Sequence, residues 1–195
     1  MPRVVTGRYK GAVLIAPKGD TTRPTTDKIK ESLFSILQTR IDDARVLDLF
    51  SGCGQIGIEA VSRGAESAVL VDKGGEQISV IKRNLEKIHE GKSNQFRVLR
   101  MPYDKAMQRL GEEGYRFDII YMDPPYKMAE EACVRACELA IEYDLLAEDG
   151  ILLCEHASDL GFDTSKMALN DVRSCSYGLT VITFFCRDIE EESGK

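Results

Sequence analysis

Leu47-Asp48-Leu49-Phe50-Ser51-Gly52-Cys53-Gly54-Gln55-Ile56-Gly57 joins an apolar run to a glycine-punctuated turn and then to a helix-forming stretch. Residues 45–50 read as a strand and 55–62 as a helix, with the glycines where the chain turns between them. Gly52, Gly54 and Gly57 satisfy G-x-G-x-x-G, and Asp72 lies 20 residues past Gly52 at the end of the next apolar run. A strand, a glycine turn, a helix and an acid at that distance form a nucleotide-type site at the carboxyl end of a parallel sheet. A tight strand-to-helix turn alone would need the same glycines.

Downstream the alternation continues. Residues 67–72, 96–99, 117–122 and 151–155 read as strands, and 76–89, 103–110 and 129–143 as helices. Strands alternating with helices predict an α/β domain whose mostly parallel sheet is covered on both faces. Two last β-like runs, 172–177 and 180–186, flank Gly178 too closely for a crossover helix. They predict an antiparallel hairpin near one edge, making seven strands in all. At the front, 4–6 and 12–15 flank Gly7-Arg8-Tyr9-Lys10-Gly11 and read as a hairpin. Arg23-Pro24-Thr25-Thr26-Asp27 then opens a helix whose apolar face is Ile29, Leu33, Phe34, Ile36 and Leu37. The expected organisation is an N-terminal hairpin and helix over 1–40, a core domain over 41–187 and a frayed acidic tail over 188–195.

With 195 residues, 43% hydrophobic and 30% charged, the chain has the composition of one globular domain, which excludes disordered, collagen-like and disulfide-dense classes. The apolar run at 12–16 is too short to span a bilayer. Six cysteines form no C-x-x-C pair, so reduced cytosolic thiols are expected rather than disulfides or a metal site. Cys133 and Cys137, four apart on one helix, read as core, and neither His89 nor His156 reads as catalytic. The net charge of −6 conceals a division, +5 over residues 1–30 and −11 over the rest. A basic arm on an acidic body predicts an anionic partner, nucleic acid first, with Arg8, Lys10 and Arg23 as phosphate contacts. Ordinary solvated surface charge is the competing account.

A dinucleotide and S-adenosylmethionine both carry an adenosine ribose that Asp72 can hold. Asp48 separates them: a carboxylate just before the glycine turn repels a pyrophosphate but attracts an ammonium and a sulfonium. The expected S-adenosylmethionine contacts are Asp48, Phe50, Ser51, Gly52, Gly54, Asp72 and Lys73, with Met101 and Pro102 near the adenine. Thr25 either approaches the methionine carboxylate or caps the following helix.

Phe117-Asp118-Ile119-Ile120-Tyr121-Met122-Asp123-Pro124-Pro125-Tyr126 places Asp123 at the carboxyl end of a strand. Two prolines stiffen the turn, and Pro125 has no N–H to compete for a carbonyl. An exocyclic base amine is a poor nucleophile because its lone pair is delocalised into the ring. Oxygens of Asp123 and Pro124 can take its two N–H bonds, aim the lone pair and stabilise the charge that develops. Tyr126 offers a ring for an unstacked base. No general base is evident, and the proton can leave to water. Glu155, at a strand end, either lines this pocket or is a solvated terminus.

With both motifs in hand, nearly the whole chain resembles the bacterial 16S ribosomal RNA guanine-N2 methyltransferase family (RsmD-like). The resemblance rests on residues 3–11, residues 23–34, Asp48 through Gly54 with Gly57, Glu59, Ala60, Ser62, Arg63, Gly64 and Ala65, Asp123 to Tyr126, and Tyr177-Gly178 with Thr180. It implies a Rossmann-like class I fold and methyl transfer from S-adenosylmethionine, leaving S-adenosylhomocysteine, to one guanine N2 of 16S ribosomal RNA. It implies no metal, and a partly or fully assembled small subunit as substrate. A cytoplasmic monomer with no obligate protein partner and no membrane is expected. Ser51, Cys53 and Asp72 stand where the family has Ala, Ser and Glu. Arg100-Met101-Pro102-Tyr103-Asp104 departs from its adenine-contact pattern, leaving Met101 and Pro102 backbone or the Asp104 side chain as candidates. A DNA adenine-N6 methyltransferase, a nicotinamide-dependent oxidoreductase and a non-catalytic RNA-binding assembly factor are the rival readings.

Overall fold

The computed structural model describes residues 1–17, 27–158 and 162–187. Five strands, β1 (Arg45–Leu49), β2 (Ser67–Asp72), β3 (Phe96–Arg100), β4 (Phe117–Met122) and β5 (Leu146–Ala157), pair in parallel. β6 (Asn170–Tyr177) and β7 (Thr180–Cys186) close the sheet as an antiparallel hairpin, and the order is β3-β2-β1-β4-β5-β7-β6. This is the Rossmann-like arrangement of class I S-adenosylmethionine-dependent methyltransferases. The order reverses between β1 and β4, so a crevice opens at their carboxyl ends.

Side-chain alternation decides which helices cover which face. Val46, Ala68, Leu70, Ile119, Tyr121 and Leu153 point toward α1 (Asp27–Ile36), α2 (Gln55–Ser62) and α3 (Gly75–Lys87). Leu47, Leu49, Val69, Ile120, Met122 and Leu152 point toward α4 (Tyr103–Glu112) and α5 (Ala129–Glu142), where Cys133 and Cys137 are fully buried. Gly57 is required by packing: a Cβ there would lie 2.2 Å from Leu70 Cδ2, so only glycine lets α2 sit this close to β2.

The N-terminal segment shares the core, with Val4, Leu14, Ile29, Leu33 and Phe34 in the same apolar cluster as α2 and α3. The expected hairpin forms as a short one: an antiparallel bridge pairs Arg3 with Val13, and N–H groups of Val4, Gly11 and Leu14 donate to Ala12 O (2.9 Å), Val4 O (2.9 Å) and Pro2 O (2.8 Å). Side chains of α2 and α3 take N–H groups beside that ladder and dock the hairpin onto the core. Glu59 carboxylate oxygens accept the Val5 and Thr6 N–H groups at 2.7 and 3.0 Å, and Asn84 Oδ1 accepts Ile15 N–H at 2.8 Å. Gly7 lies against the end of α2 with φ +84°, and a Cβ there would fall 1.7 Å from Ser62 O. Lys30, counted in the basic arm, is fully buried and faces Glu59 (3.7 Å) and Asp27 (3.6 Å) rather than solvent.

β5 begins five residues before the expected residue 151 and continues past 155. Its polar Glu148-Asp149-Gly150 reads as loop but lies within the strand, where the β4–β5 pairing shifts register between Phe117 and Ile119. His156 therefore sits within the strand, buried, stacked on Phe162 at 3.8 Å and hydrogen-bonded to Thr183 Oγ1 at 2.9 Å. Among the described residues, no helix is long and apolar enough to cross a membrane.

Candidate active site

The crevice at the switch point is built from the ends of β1, β2 and β4 and the turns that follow them. Phe50 leaves β1 with φ 60°, a left-handed conformation costly for an aromatic residue and concentrated at functional turns. Ser51 fixes that turn: its N–H donates to Val71 O (2.9 Å), and its hydroxyl accepts from Val71 N–H (3.0 Å) and donates to Asp48 O (2.5 Å). The Ser51 hydroxyl, expected to contact the cofactor, is thus buried and engaged within the protein, tying β1 to β2.

Asp72 Oδ2 accepts Gly52 N–H at 3.0 Å and Oδ1 accepts Gly74 N–H at 2.8 Å, which braces the glycine turn against the end of β2. Beside it lies a mostly apolar cleft of about 180 Å³, lined by Phe50, Val71, Asp72, Lys73, Met101, Pro102, Tyr103 and Met128. Five of the expected cofactor residues, Phe50, Asp72, Lys73, Met101 and Pro102, meet there. Tyr103 and Met128 were not legible as site residues; Tyr103 packs on Phe50 with ring centroids 5.0 Å apart. Asp104 does not line the cleft. Thr25 and Arg23 lie outside the described residues.

Asp48 is buried at the end of β1, with Oδ2 accepting Gly57 N–H at 3.0 Å. Burial pushes its carboxyl up to about 7, against the pull of hydrogen bonds from Gly57 and Ser51, and the nearby Asp72 adds to the rise. The Gln55 side-chain Oε1, at the start of α2, is buried with no hydrogen-bond partner among the described residues. A partnerless buried acceptor at the start of α2 and a carboxylate without a countercharge at the end of β1 each suit a cationic ligand end. The apolar cleft with Asp72 at its edge fits an adenosine. The residues present therefore suit S-adenosylmethionine.

Asp123 follows β4 next to Pro124, and Pro125 and Tyr126 are exposed beyond it, Tyr126 by 43% of its surface. Burial, then the Glu155 and Asp48 carboxylates, push the Asp123 carboxyl well above the usual range. Glu155 is not a solvated terminus: it is 4% exposed and accepts the Tyr121 hydroxyl at 2.6 Å. Arg8 and Lys10 are exposed on the N-terminal turn, where Arg8 also donates to Gln95 Oε1 (2.6 Å) and stacks on Tyr9. A larger surface cavity of about 490 Å³ lies at the opposite end of the strands, lined by Arg40, Asp42, Asp118 and Asp149 among others. Among the described residues, no group of three or more His, Cys, Asp or Glu side chains is arranged to hold a metal ion.

A family model described as conserved hypothetical protein 95 matches residues 2–186. A Bacillus subtilis (strain 168) protein provisionally named rRNA methyltransferase YlbH is 38% identical over 94% of this chain and 97% of its own. Ribosomal RNA small subunit methyltransferase D of Escherichia coli (strain K12) is 28% identical over 98% of this chain and 92% of its own. The solved structure of yhhF from Escherichia coli, provisionally titled a methyltransferase, superposes with a TM-score of 0.79 at 28% identity, covering 95% of this chain and 97% of that one.

Proposed function

The chain belongs to the conserved hypothetical protein 95 family of RsmD-like ribosomal RNA methyltransferases, and from that premise we propose that it methylates the exocyclic N2 of one guanine in 16S ribosomal RNA, using S-adenosylmethionine. The observation that carries this reading is the meeting, at one switch point, of the cleft beside Asp72 and the Asp123-Pro124-Pro125-Tyr126 turn. The names of the two relatives support ribosomal RNA as the substrate class.

When bound, S-adenosylmethionine supplies an electrophilic methyl group on a sulfonium. Phe50, Met101, Pro102 and Tyr103 would enclose its adenine, Asp72 its ribose, and Asp48 with Gln55 its ammonium. Gly52, Gly54 and Ser51 shape the turn that brings these groups together, and Lys73 lies at the cleft edge. Side-chain oxygen of Asp123 and the Pro124 carbonyl take the two N–H bonds of the guanine amine, which aims its lone pair at the methyl. Pro125 stiffens the turn, and the exposed Tyr126 ring receives the flipped base. The amine loses one proton after transfer. Arg8 and Lys10 contact RNA phosphates. The substrate is a partly or fully assembled small subunit, bound by a cytoplasmic monomer.

Labelled S-adenosylmethionine tests this with three substrates: small subunits lacking the modification, naked 16S ribosomal RNA and duplex DNA, followed by nucleoside analysis. N2-methylguanosine in the subunits is the expected product. N6-methyladenine in DNA, or no transfer to any of the three, would reject it.

A further inference from the structure

The parallel register aligns β4 with β5 so that Tyr121 faces Leu153 and Met122 faces Cys154. The next residues in step are Asp123 and Glu155. On the other side, Asp48 of β1 is the register partner of Tyr121. Three acids and one tyrosine therefore share one face at the carboxyl ends of β1, β4 and β5. The buried charged groups on the helices over this face, Lys30 and Glu59, are engaged elsewhere. Lys30 of α1 is directed to Glu59, Asp27 and Arg3 O, and Glu59 of α2 is paired with Arg63 at 2.8 Å. Among the described residues, the charges acting on Asp123 are Glu155 and Asp48, both acidic.

We propose that Asp123 works as a neutral carboxylic acid, kept protonated by an ionised Glu155 that Tyr121 holds in place. With Asp48 and Glu155 buried and Asp123 half-buried beside them, like charges on adjacent strands disfavour full ionisation, so this group retains a proton near neutral pH. The Tyr121 hydroxyl decides where that proton sits: it donates to Glu155 Oε2 at 2.6 Å and so favours Glu155 in its ionised form. No comparable hydrogen bond to the Asp123 carboxyl is formed among the described residues. Glu155 and Tyr121 are then positioning residues, acting on the base through Asp123.

A neutral carboxyl presents one acceptor and one donor side by side. That pattern complements an amino group next to a ring nitrogen with a lone pair, which is the N2/N3 edge of guanine. An ionised carboxylate would instead set a second acceptor against that lone pair. This rests on the guanine-N2 reading, and it narrows the recognised edge.

Difference infrared spectroscopy on the ligand-free full chain decides the protonation state whether or not a substrate is in hand. A protonated-carboxyl carbonyl band at neutral pH that persists in Asp48→Asn, disappears when Asp123→Asn is added to that variant, and is lost at lower pH in Glu155→Gln than in wild type, is expected. Wild-type kcat at saturating S-adenosylmethionine falls as pH rises. Asp123→Asn loses that dependence and stays within about tenfold of wild type, whereas Asp123→Ala falls by about 10²- to 10³-fold. Absence of the band, a rate that climbs with pH, or an Asn variant as inactive as the Ala variant would overturn the proposal. Should no RNA be methylated at all, the reaction assignment fails while the infrared result still stands. Asp123→Asn carries the test even where Glu155→Gln fails to fold.

Discussion

Glu59 and the Asp48–Asp123–Glu155 group, in which Asp48 and Glu155 are buried and Asp123 is half-buried at the crevice, lie over the same face of the sheet, yet their surroundings differ in kind. Glu59 is fully buried and meets Arg63 (2.8 Å), Lys30 (3.7 Å) and the backbone N–H groups of Val5 and Thr6. Its charge is compensated, and what it does is dock the N-terminal segment onto α2. The acids at the strand ends have no such cations among the described residues, and burial raises the carboxyls of Asp48, Asp123 and Glu155. A buried acid ringed by donors is structural, whereas buried acids facing one another wait for a ligand to complete them.

Removing Glu59 tests the compensated site most severely. Glu59→Ala leaves buried Lys30 with Asp27 and Arg3 O alone, strips the Val5 and Thr6 N–H groups of their acceptor, and costs about 3–5 kcal/mol, read as a lower urea midpoint. Removing Asp123 leaves the fold intact but lowers methyl transfer by about 10²- to 10³-fold with S-adenosylmethionine binding retained, read by labelled transfer and calorimetry.

Asp48→Asn has the opposite sign from Glu59→Ala. The Asp48 carboxyl binds its proton more tightly folded, at about 7 against an ordinary 3.8, so its contribution to stability is full below the ordinary value and is lost as pH rises through about 7. The amide removes that penalty. The ligand-free variant gains up to a few kcal/mol at pH above about 7 in urea unfolding and loses affinity for S-adenosylmethionine. A loss of stability instead would place Asp48 in the same class as Glu59. The smallest effect falls on the exposed arm. Lys10→Ala weakens RNA binding slightly and lowers the salt slope by about 1, measured by titration at several salt concentrations. Arg8 is a poorer probe, because its guanidinium also holds Gln95 and Tyr9.

Period, spacing and turn chemistry are local, which is why the alternating strands and helices, the glycine turn and the Asp123-Pro124-Pro125-Tyr126 motif were legible from residues alone. Phe50, Asp72, Met101 and Pro102 were legible because each lies at the end of a strand, where a parallel sheet collects its ligands. Tyr103 and Met128 were not, because each starts or precedes a helix and nothing in its neighbours says that it turns toward Phe50. Lys30 carried the same charge as its exposed neighbours in the count, and only packing removed it from the surface.

What the chain determined by itself was the type and order of its elements and the chemistry available at two turns, since both depend on interactions between residues close in sequence. What only the tertiary structure decided was partnership between residues far apart. Glu59 took the N–H groups of a segment more than fifty residues away, which docks the N-terminal hairpin onto α2. The β4–β5 register set Glu155 beside Asp123 and under the Tyr121 hydroxyl. The physical reason is that a hydrogen bond or a shared proton depends on distance in space, and strand register and helix packing set that distance.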